Sequence, residues 1–410
     1  MRLRALELDE FRSFRRLLLP IDPAGFRAIG PNASGKSTIL EAIAMLATTR
    51  SPRTAAEREI AHWDSGVDLA VPPYSRLRGE FERSDGRHQL EIGITLRERG
   101  QSSLKKLVRF DDRPVRAVDA VGQFTTVHFS PEDVNLVSGA PSARRRYLDV
   151  AVSQSSRSYL RALSRYGRVL EQRNSLLRTL ARDRSTPQAG RPERELPFWD
   201  AELTAAAADL LAFRVGAIQA LSARAQHYFE LLTGDTSLAI TYASPRMDLP
   251  EITSAIEDWR APTQTLRQSL SAAFSRSLSA HAAEELRRGI TVVGPHRDDF
   301  LVSANGADLA RYGSRGQQRL AVVAMKLAEL DLLADAAKEP PVLLLDDVLS
   351  ELDVAHRSMI VATIAAREAQ VCVTATDESD LASPQLAHLP VLRTSGGVVE
   401  MVDADSANAE

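Results

Sequence analysis

The chain has 410 residues, which is long enough for two or more domains with full-sized cores. Its net charge of −3 argues neither for nor against binding to nucleic acid, because a global balance hides local charged stripes. One cysteine, Cys372, excludes a disulfide framework, and the eight histidines lack metal-ligand spacing. No stretch approaches the roughly 18 apolar residues of a membrane span, and residues 1–11 lack a signal peptide's apolar core, so we expect a cytoplasmic protein without membrane contact.

The first functional motif is a glycine-rich loop, GPNASGKS, at residues 30–37. It matches the pattern G-x-x-x-x-G-K-[ST] and lies between a predicted strand over residues 26–29 and a helix with Ile39, Leu40 and Ile43 on one face. Glycines allow several backbone N–H groups to point inward, and the helix dipole adds positive potential where phosphates bind. The motif predicts an ATP-binding loop. The alternative is a glycine-serine turn that merely precedes an amphipathic helix.

Two side chains of this loop are predicted to serve the nucleotide directly. Lys36 is expected to reach the β- and γ-phosphates and to act in catalysis, and Ser37 offers its hydroxyl to Mg²⁺. The whole loop is expected to contact ATP, through Gly30, Pro31, Asn32, Ala33, Ser34, Gly35, Lys36, Ser37 and Thr38.

Residues 1 to about 130 are predicted to be mostly strands around the helix that follows the loop. Residues 78–96 alternate apolar and polar side chains on either side of an Asp-Gly pair, which indicates a hairpin. Residues 106–115 predict a second hairpin. From about Ser142 the apolar period becomes helical.

Three long helices are predicted in the middle of the chain. The second runs from about residue 199 to 232 and the third from about 263 to 288. Between the first two, residues 182–197 are polar and rich in Pro and Gly, which predicts a loop joining antiparallel helices. The first helix carries an apolar stripe of Tyr159, Leu163, Tyr166, Leu170 and Leu177.

The first of these helices and the segment before it are strongly basic. Between residues 140 and 182, ten arginines are opposed by two acids. Four of the arginines are spaced four, four and three residues apart, which lines them along one helix face, as contact with a phosphate backbone requires. The alternative is a solvated face in an arginine-rich chain. These four are Arg157, Arg161, Arg165 and Arg168, and the other candidate DNA contacts are Arg144, Arg145 and Arg146, which could equally brace the helical region.

The motif GPHRDDF at residues 294–300 contains four charged or titratable side chains, from His296 to Asp299. We expect them to form a charged network that braces the helical region against the rest of the protein. Contact with DNA is the alternative.

A second candidate anion site lies at Ser314, Gly316 and Gln317, which precede a long predicted helix. Since the chain already has a phosphate loop, the economical explanation is that this segment meets the γ-phosphate of ATP held by a second copy of the chain. ATP would then join a homodimer. The alternative is an ordinary helix cap.

The carboxylates expected to complete the nucleotide site lie near the end of the chain. Residues 342–345 are a continuous apolar run, typical of a parallel strand buried on both faces, and Asp346 and Asp347 follow it. We expect Asp346 to hold Mg²⁺ through its water shell and Asp347 to orient or deprotonate a water, both as catalytic residues. A helix cap after a core strand is the alternative.

Lys36 and Asp346 are 310 positions apart although both are expected to serve one site. A compact nucleotide domain does not need so many intervening residues, so the two chain ends should fold together while the middle projects. We predict an α/β fold with an ATPase head made of residues 1–130 and 290–399 and an inserted α-helical arm at residues 131–289. Residues 400–410 are predicted to be a flexible tail.

The order of these motifs resembles the RecF family, which are bacterial recombination mediators with an ABC/SMC-type P-loop ATPase head. The shared motifs spread over nearly the whole chain, and two are the most specific: SPED…RRRYLD, within residues 130–149, and GPHRDD, from residue 294. The others are FRSF, GPNASGKST, GSRGQQR, LLLDDVLSELD and VTATD.

The resemblance implies ATP and Mg²⁺ as cofactors, an ATP-dependent homodimer, and DNA binding near single-strand gaps or junctions. It also implies RecR and RecO as partners in RecA loading, and a part in SOS induction. By the same resemblance, residues 314–317 correspond to a signature motif acting in trans, residues 350–353 to the D-loop, and Asp347 to the catalytic acid.

The chain departs from the family pattern at two site positions. Pro31 stands where the family usually has an acid, and Thr376 stands where transporter ATPases have a histidine, which suggests slow turnover. Two alternative functions remain: an SMC-like ATP-binding scaffold without significant hydrolysis, and an ABC transporter ATPase subunit. The helical insertion and GPHRDD are foreign to the transporter class.

Overall fold

The computed structural model describes residues 1–54, 56–68, 70–96, 104–182, 192–234, 236–250, 256 and 258–402. The strands are β1 Arg2–Phe11, β2 Phe14–Pro20, β3 Gly25–Ile29, β4 Tyr74–Arg83, β5 Gly86–Leu96, β6 Leu104–Phe110, β7 Arg113–Val115, β8 Thr126–Phe129, β9 Leu238–Ala243, β10 Asp299–Ala304, β11 Ala307–Asp308, β12 Val342–Asp346, β13 Val371–Ala375, β14 Val391–Ser395 and β15 Val398–Val402. The helices are α1 Lys36–Thr48, α2 Ala117–Ala120, α3 Asn135–Ser138, α4 Pro141–Ser155, α5 Arg157–Arg182, α6 Pro192–Thr233, α7 Gln264–Arg288, α8 Leu309–Tyr312, α9 Arg315–Ala337 and α10 Val354–Ala365.

Contacts divide the chain into two compact units. The head unit contains residues 1–133 and 329–410, and the arm unit contains residues 134–328. The two chain ends therefore fold together around a large insertion. The division differs from the expected boundaries because residues 290–328, including the candidate anion site before α9, cluster with the arm helices.

The head unit contains a six-stranded sheet in the order β15-β14-β3-β13-β12-β8. The strands from β14 to β8 run parallel, and β15 pairs antiparallel at the edge. Every residue of β12 is buried, as the unbroken apolar run predicted. Because parallel strands end at the same edge, β3, β12 and β13 bring their carboxyl ends together.

A second head sheet has the order β2-β1-β4-β5-β6-β7, with antiparallel neighbours. Both predicted hairpins are confirmed, as the pairs β4–β5 and β6–β7. Helix α1 packs on β4 and β5 of this sheet and on β8, β12 and β13 of the parallel sheet. Ile39, Leu40 and Ile43 are fully buried there, which fixes the amino end of α1 beside the phosphate loop.

In the arm unit, α5 packs against α6 and α7. Tyr159, Tyr166 and Leu177 of the predicted stripe are buried. Side-chain contacts between α5 and α6 run in opposite senses along the two helices, since residue 159 meets 214, residue 165 meets 202 and residue 173 meets 200. The helices are therefore antiparallel, as predicted. Most of the loop predicted to join them, residues 183–191, lies outside the described residues.

The GPHRDD motif forms a polar network inside the arm unit. The Tyr166 hydroxyl lies 2.6 Å from His296 Nδ1, and burial lowers the pKa of His296 to about 4, so this ring is neutral at neutral pH. Asp298 accepts hydrogen bonds from Tyr242 Oη at 3.0 Å and Ser244 Oγ at 2.5 Å, and burial raises the pKa of its carboxyl. Asp299 is held by Arg144. These partners all lie in the arm unit, so the bracing is internal to the arm, which corrects the expectation of a brace against the head.

The structure also bears on the predicted tail and on membrane spans. Residues 400–402 belong to β15, so they are not part of a flexible tail as predicted. The rest of the predicted tail, residues 403–410, lies outside the described residues. Within the described residues, no helix is long and apolar enough to cross a membrane.

Candidate nucleotide-binding site

The phosphate loop needs both of its framing glycines. Gly35 is the N-cap of α1 at φ 111°, and a Cβ there would lie 2.7 Å from the Phe14 ring. A Cβ on Gly30 would lie 2.2 Å from the Thr394 carbonyl oxygen. Any larger residue would therefore clash with Phe14 or β14. The loop curls tightly before α1, and the first N–H groups of a helix have no acceptor within it, so they are available to a phosphate.

Lys36 lies at the start of α1 with only 6% of its surface exposed. Its ammonium donates to the carbonyl oxygens of Gly30 at 2.6 Å and Pro31 at 3.0 Å, which holds the side chain across the loop. Burial lowers the pKa of this ammonium, while the charges of Asp347 and Asp346 act in the opposite direction. The nearby carboxylates thus favour the charged form that phosphate binding requires.

Ser37 and Asp346 meet although they are far apart in sequence. Ser37 Oγ donates to Asp346 Oδ1 at 2.8 Å, and Thr374 Oγ1 donates to the same oxygen at 2.9 Å. The serine proton is used on the carboxylate, so the lone pairs of Ser37 Oγ are available to a metal. Helix α1 and strand β12 therefore bring together Ser37 and Asp346, the two residues predicted to bind Mg²⁺.

Asp347 follows directly, in the left-handed backbone region at φ 54°. Its N–H donates to Thr374 Oγ1 at 3.1 Å, and Ser350 Oγ donates to its carbonyl oxygen at 2.8 Å. Asp346 therefore ends the strand with its carboxylate on Ser37 and Thr374, and the backbone of Asp347 is held in the turn by Thr374 and Ser350. This arrangement suits two carboxylates with two different tasks.

Thr376, which is predicted to stand at the position of the transporter histidine, contacts the phosphate loop: its hydroxyl donates to Asn32 Oδ1 at 3.3 Å. The loop is also tied to β14, because Ser34 Oγ lies 2.6 Å from Thr394 Oγ1. The donor set therefore fits a magnesium-nucleotide: a glycine-framed cradle, a buried ammonium, and a hydroxyl–carboxylate pair of hard oxygen ligands.

Comparisons with known proteins show which family the chain belongs to. The family profile described as RecF/RecN/SMC N terminal domain matches residues 2–387. The protein named DNA replication and repair protein RecF from Thermomicrobium roseum is 43% identical over 98% of this chain and 100% of its own length. Its namesake from Chloroflexus aurantiacus is also 43% identical, over 96% of this chain and 98% of its own. The chain belongs to the RecF family.

Solved structures support the same assignment. The recombination mediator protein RecF-ATP in the RecFOR pathway superposes with a TM-score of 0.81 at 28% identity, covering 98% of each chain. The SmcHead bound to the C-winged helix domain of ScpA superposes with a TM-score of 0.51 at 15% identity, which shows the fold alone. The fold is therefore the ABC/SMC-type ATPase head with an inserted helical arm, as predicted.

In this RecF-family chain, the segment before α9 has the geometry of a helix cap. Ser314 Oγ accepts from the Gln317 N–H at 3.2 Å, and Gln317 Oε1 accepts from the Ser314 N–H at 3.0 Å. This reciprocal pair is a capping box, so the ordinary-cap interpretation describes the local structure. Residues 314–317 are exposed, and their contact with the ATP of a second copy stays a prediction.

The cluster formed by Arg144, Arg145 and Arg146 is mainly structural. Arg144 is 8% exposed, binds both carboxylate oxygens of Asp299 at 2.7 and 2.8 Å, and donates to the Gly139 carbonyl. Its guanidinium is thus unavailable to a phosphate, which corrects its assignment as a DNA contact. Arg145 is half-buried and donates to the Asp298 carbonyl at 2.7 Å, whereas Arg146 is exposed.

The arginines of α5 do not form one uniform surface. Arg157, Arg161 and Arg168 are exposed and make no ion pair among the described residues; we call these three the arginine face. Arg165, on the same helix, pairs with Glu202 at 3.1 Å and lies 3.6 Å from Asp209. The helical spacing was predicted, but only the packing of α6 shows that Arg165 is neutralised.

Sequence reasoning missed the contribution of Thr374. The residue lies at the end of β13, opposite Asp346 in the parallel register, and its hydroxyl joins the two aspartates. Its place in the motif VTATD, near the carboxyl end of a buried apolar strand, is the signal that could have identified it.

Proposed function

We propose that this chain is an ATP-dependent DNA-binding switch in recombinational repair and replication restart, working in the cytoplasm. It binds Mg²⁺-ATP, pairs with a second copy on DNA at single-strand gaps or junctions, and is reset by slow hydrolysis. The observation that carries the proposal is the contact of Ser37 with Asp346 beside a glycine-framed loop and the buried Lys36. The RecFOR pathway named for the solved neighbour supports RecR and RecO as partners. A part in RecA loading and in SOS induction is proposed from the family resemblance.

The residues of the head unit take separate roles towards the nucleotide. The loop amides and Lys36 bind the phosphates, Ser37 and Asp346 hold the metal, and Asp347 orients the attacking water. The metal supplies charge neutralisation at the phosphate oxygens when it is bound. Thr376 in place of a histidine supports slow turnover, as a switch requires.

Pairing through residues 314–317 is the second part of the proposal. The exposed start of α9 presents N–H groups and the Ser314 hydroxyl at the positive end of a 23-residue helix. A second copy that brings its own ATP to this end would join two chains through nucleotide alone. Nucleotide state then controls how long the dimer stays on DNA.

The arginine face of α5 is the proposed DNA contact of the arm. Arg157, Arg161 and Arg168 keep their guanidinium groups in solvent, whereas Arg165 is occupied by carboxylates. Phosphate contacts of this kind give affinity without sequence preference, which suits a protein that recognises DNA gaps.

Lys36→Met is expected to weaken Mg²⁺-ATP binding about 10- to 150-fold, the equivalent of one charge-assisted hydrogen bond. The thioether matches the length of the lysine stem but supplies no charge to the phosphates. Equilibrium binding of a fluorescent ATP analogue measures the effect. Sedimentation with ATP should show that ATP-driven pairing disappears with it.

Ser314→Arg is the matched control for that experiment. It places a bulky side chain at the start of α9 without touching the phosphate loop, so each chain should still bind ATP while pairing is abolished. Wild-type nucleotide affinity in Lys36→Met would refute the phosphate-loop assignment. Unchanged pairing in Ser314→Arg would refute the trans contact alone.

Replacing Arg157, Arg161 and Arg168 together with Ala should lower DNA affinity and flatten its salt dependence. The expected change is about 0.9 in the slope of log K against log salt for each duplex phosphate that the variant no longer binds. Fluorescence anisotropy with gapped DNA between low and moderate salt measures the slope.

Arg165→Ala provides the comparison on the same helix. Because Arg165 already pairs with Glu202 and Asp209, its removal should leave the salt slope unchanged. A triple variant with the wild-type slope would show that the arginine face is only solvated and that DNA binds elsewhere.

A further inference from the structure

Thr374 lies between the two aspartates of the candidate site. It is 1% exposed, on β13, and pairs in register with Asp346 of the neighbouring parallel strand. Its hydroxyl donates to Asp346 Oδ1 at 2.9 Å and accepts the N–H of Asp347 at 3.1 Å. A single oxygen therefore contacts both residues to which separate roles are assigned.

The hydrogen-bonding capacity of a hydroxyl makes this contact directional. Thr374 has one proton, and the short bond to Asp346 uses it, while the Asp347 N–H occupies a lone pair. Asp346 Oδ1 also accepts from Ser37, so the carboxylate is held from both sides. Ser37 and Thr374 together therefore fix the rotamer of the Asp346 carboxylate.

The second bond acts on the backbone of Asp347. A non-glycine residue at φ 54° is strained and persists only where its surroundings hold it. Thr374 holds the N–H of Asp347, and Ser350 Oγ holds its carbonyl oxygen at 2.8 Å. The backbone turn at Asp347 thus depends on the Thr374 hydroxyl on its N–H side and on Ser350 on its carbonyl side, and Ser350 Oγ also lies 3.3 Å from the Asp347 carboxylate.

We propose that Thr374 is a positioning residue that couples Asp346, which is assigned to the metal, to Asp347, which is assigned to the attacking water. The proposal rests on the proposed Mg²⁺-ATP function and adds to it. When the hydroxyl is removed, the Asp346 carboxylate and the Asp347 turn relax independently, although the phosphate loop and Lys36 keep their own contacts.

Thr374→Val keeps the shape of the side chain and removes only the hydroxyl. We expect the half-saturating Mg²⁺ concentration for nucleotide binding to rise about tenfold, as the loss of one or two hydrogen bonds implies. Turnover should fall roughly 10²-fold, because small misplacements of catalytic groups have effects of that size. ATP affinity without Mg²⁺ should be unchanged, since Lys36 and the loop are intact.

Two variants make the test specific. Thr374→Ser retains the hydroxyl and should restore the Mg²⁺ dependence. Thr126→Val removes a buried threonine hydroxyl from β8, beside the opposite end of β12, and should leave both Mg²⁺ dependence and turnover unchanged. Titration of a fluorescent ATP analogue with Mg²⁺ provides the readout, and thermal unfolding of each variant accompanies it.

Wild-type Mg²⁺ half-saturation in Thr374→Val, with or without a lower Tm, would overturn the proposal and leave Thr374 a purely structural residue. Loss of Mg²⁺-free nucleotide affinity in the same variant would also overturn it, because the effect would then extend to the whole loop. Failure of the proposed function itself is seen separately, as normal nucleotide binding in Lys36→Met.

Discussion

Asp347→Asn is expected to bind Mg²⁺-ATP with wild-type affinity and to lose hydrolysis by about 10²- to 10⁴-fold, the range of a removed general base. The amide has the shape of the carboxylate but cannot polarise or deprotonate water. Lys36, Ser37 and Asp346 keep their contacts, so binding survives. Single-turnover hydrolysis measures the loss, and sedimentation with ATP and gapped DNA should show a dimer that no longer resets.

Asp346→Asn is the companion variant. It should weaken the binding of Mg²⁺ in the nucleotide complex, because it removes the negative charge of the residue assigned to the metal. If Asp347→Asn fails to bind ATP, Asp347 is the metal ligand and the roles of the two aspartates are exchanged. If the wild-type protein itself shows no single-turnover hydrolysis with DNA, the scaffold function replaces the switch.

Arg173→Met is expected to destabilise the arm unit by about 3–5 kcal/mol, as when one partner of a buried ion pair is removed. Arg173 is 1% exposed; its Nη2 lies 2.7 Å from Glu285 Oε2 and its Nε donates to Asp200 Oδ1 at 2.7 Å. Glu285 is fully buried, so its carboxylate would remain without a counter-charge. Urea unfolding, followed by circular dichroism, measures the change.

Two controls separate burial from charge. Arg165→Met removes an ion pair whose partners Glu202 and Asp209 are partly exposed, and it should cost no more than about 1 kcal/mol. Adding Glu285→Gln to Arg173→Met should recover part of the stability, because the uncompensated charge is removed. A cost below about 1 kcal/mol for Arg173→Met would contradict the buried network.

Local sequence patterns predicted much of the fold and the centre of the site. The spacing of Gly30, Gly35, Lys36 and Ser37 is read within eight positions, because a phosphate loop is built from consecutive backbone groups. The buried strand before Asp346, the two hairpins and the helical arm were likewise predicted, since apolar period and turn residues are local properties. These features follow from the sequence by itself.

Tertiary structure decided which of these side chains meet a partner. Helical spacing showed that Arg157, Arg161, Arg165 and Arg168 share one side of α5, but not that α6 brings carboxylates to Arg165 alone. Arg144 and Arg173 counted as positive charge in the sequence, yet both are buried against acids more than 100 positions away.

Thr374 shows the same limit within the site. It lies 28 positions from Asp346, and only the parallel register of β12 and β13 brings its hydroxyl to both aspartates. The sequence by itself determined the chemical groups and their local backbone, because these depend on neighbouring residues. Which groups are paired, buried or left to a ligand was decided by the tertiary structure, because hydrogen bonds and ion pairs depend on contacts between distant segments.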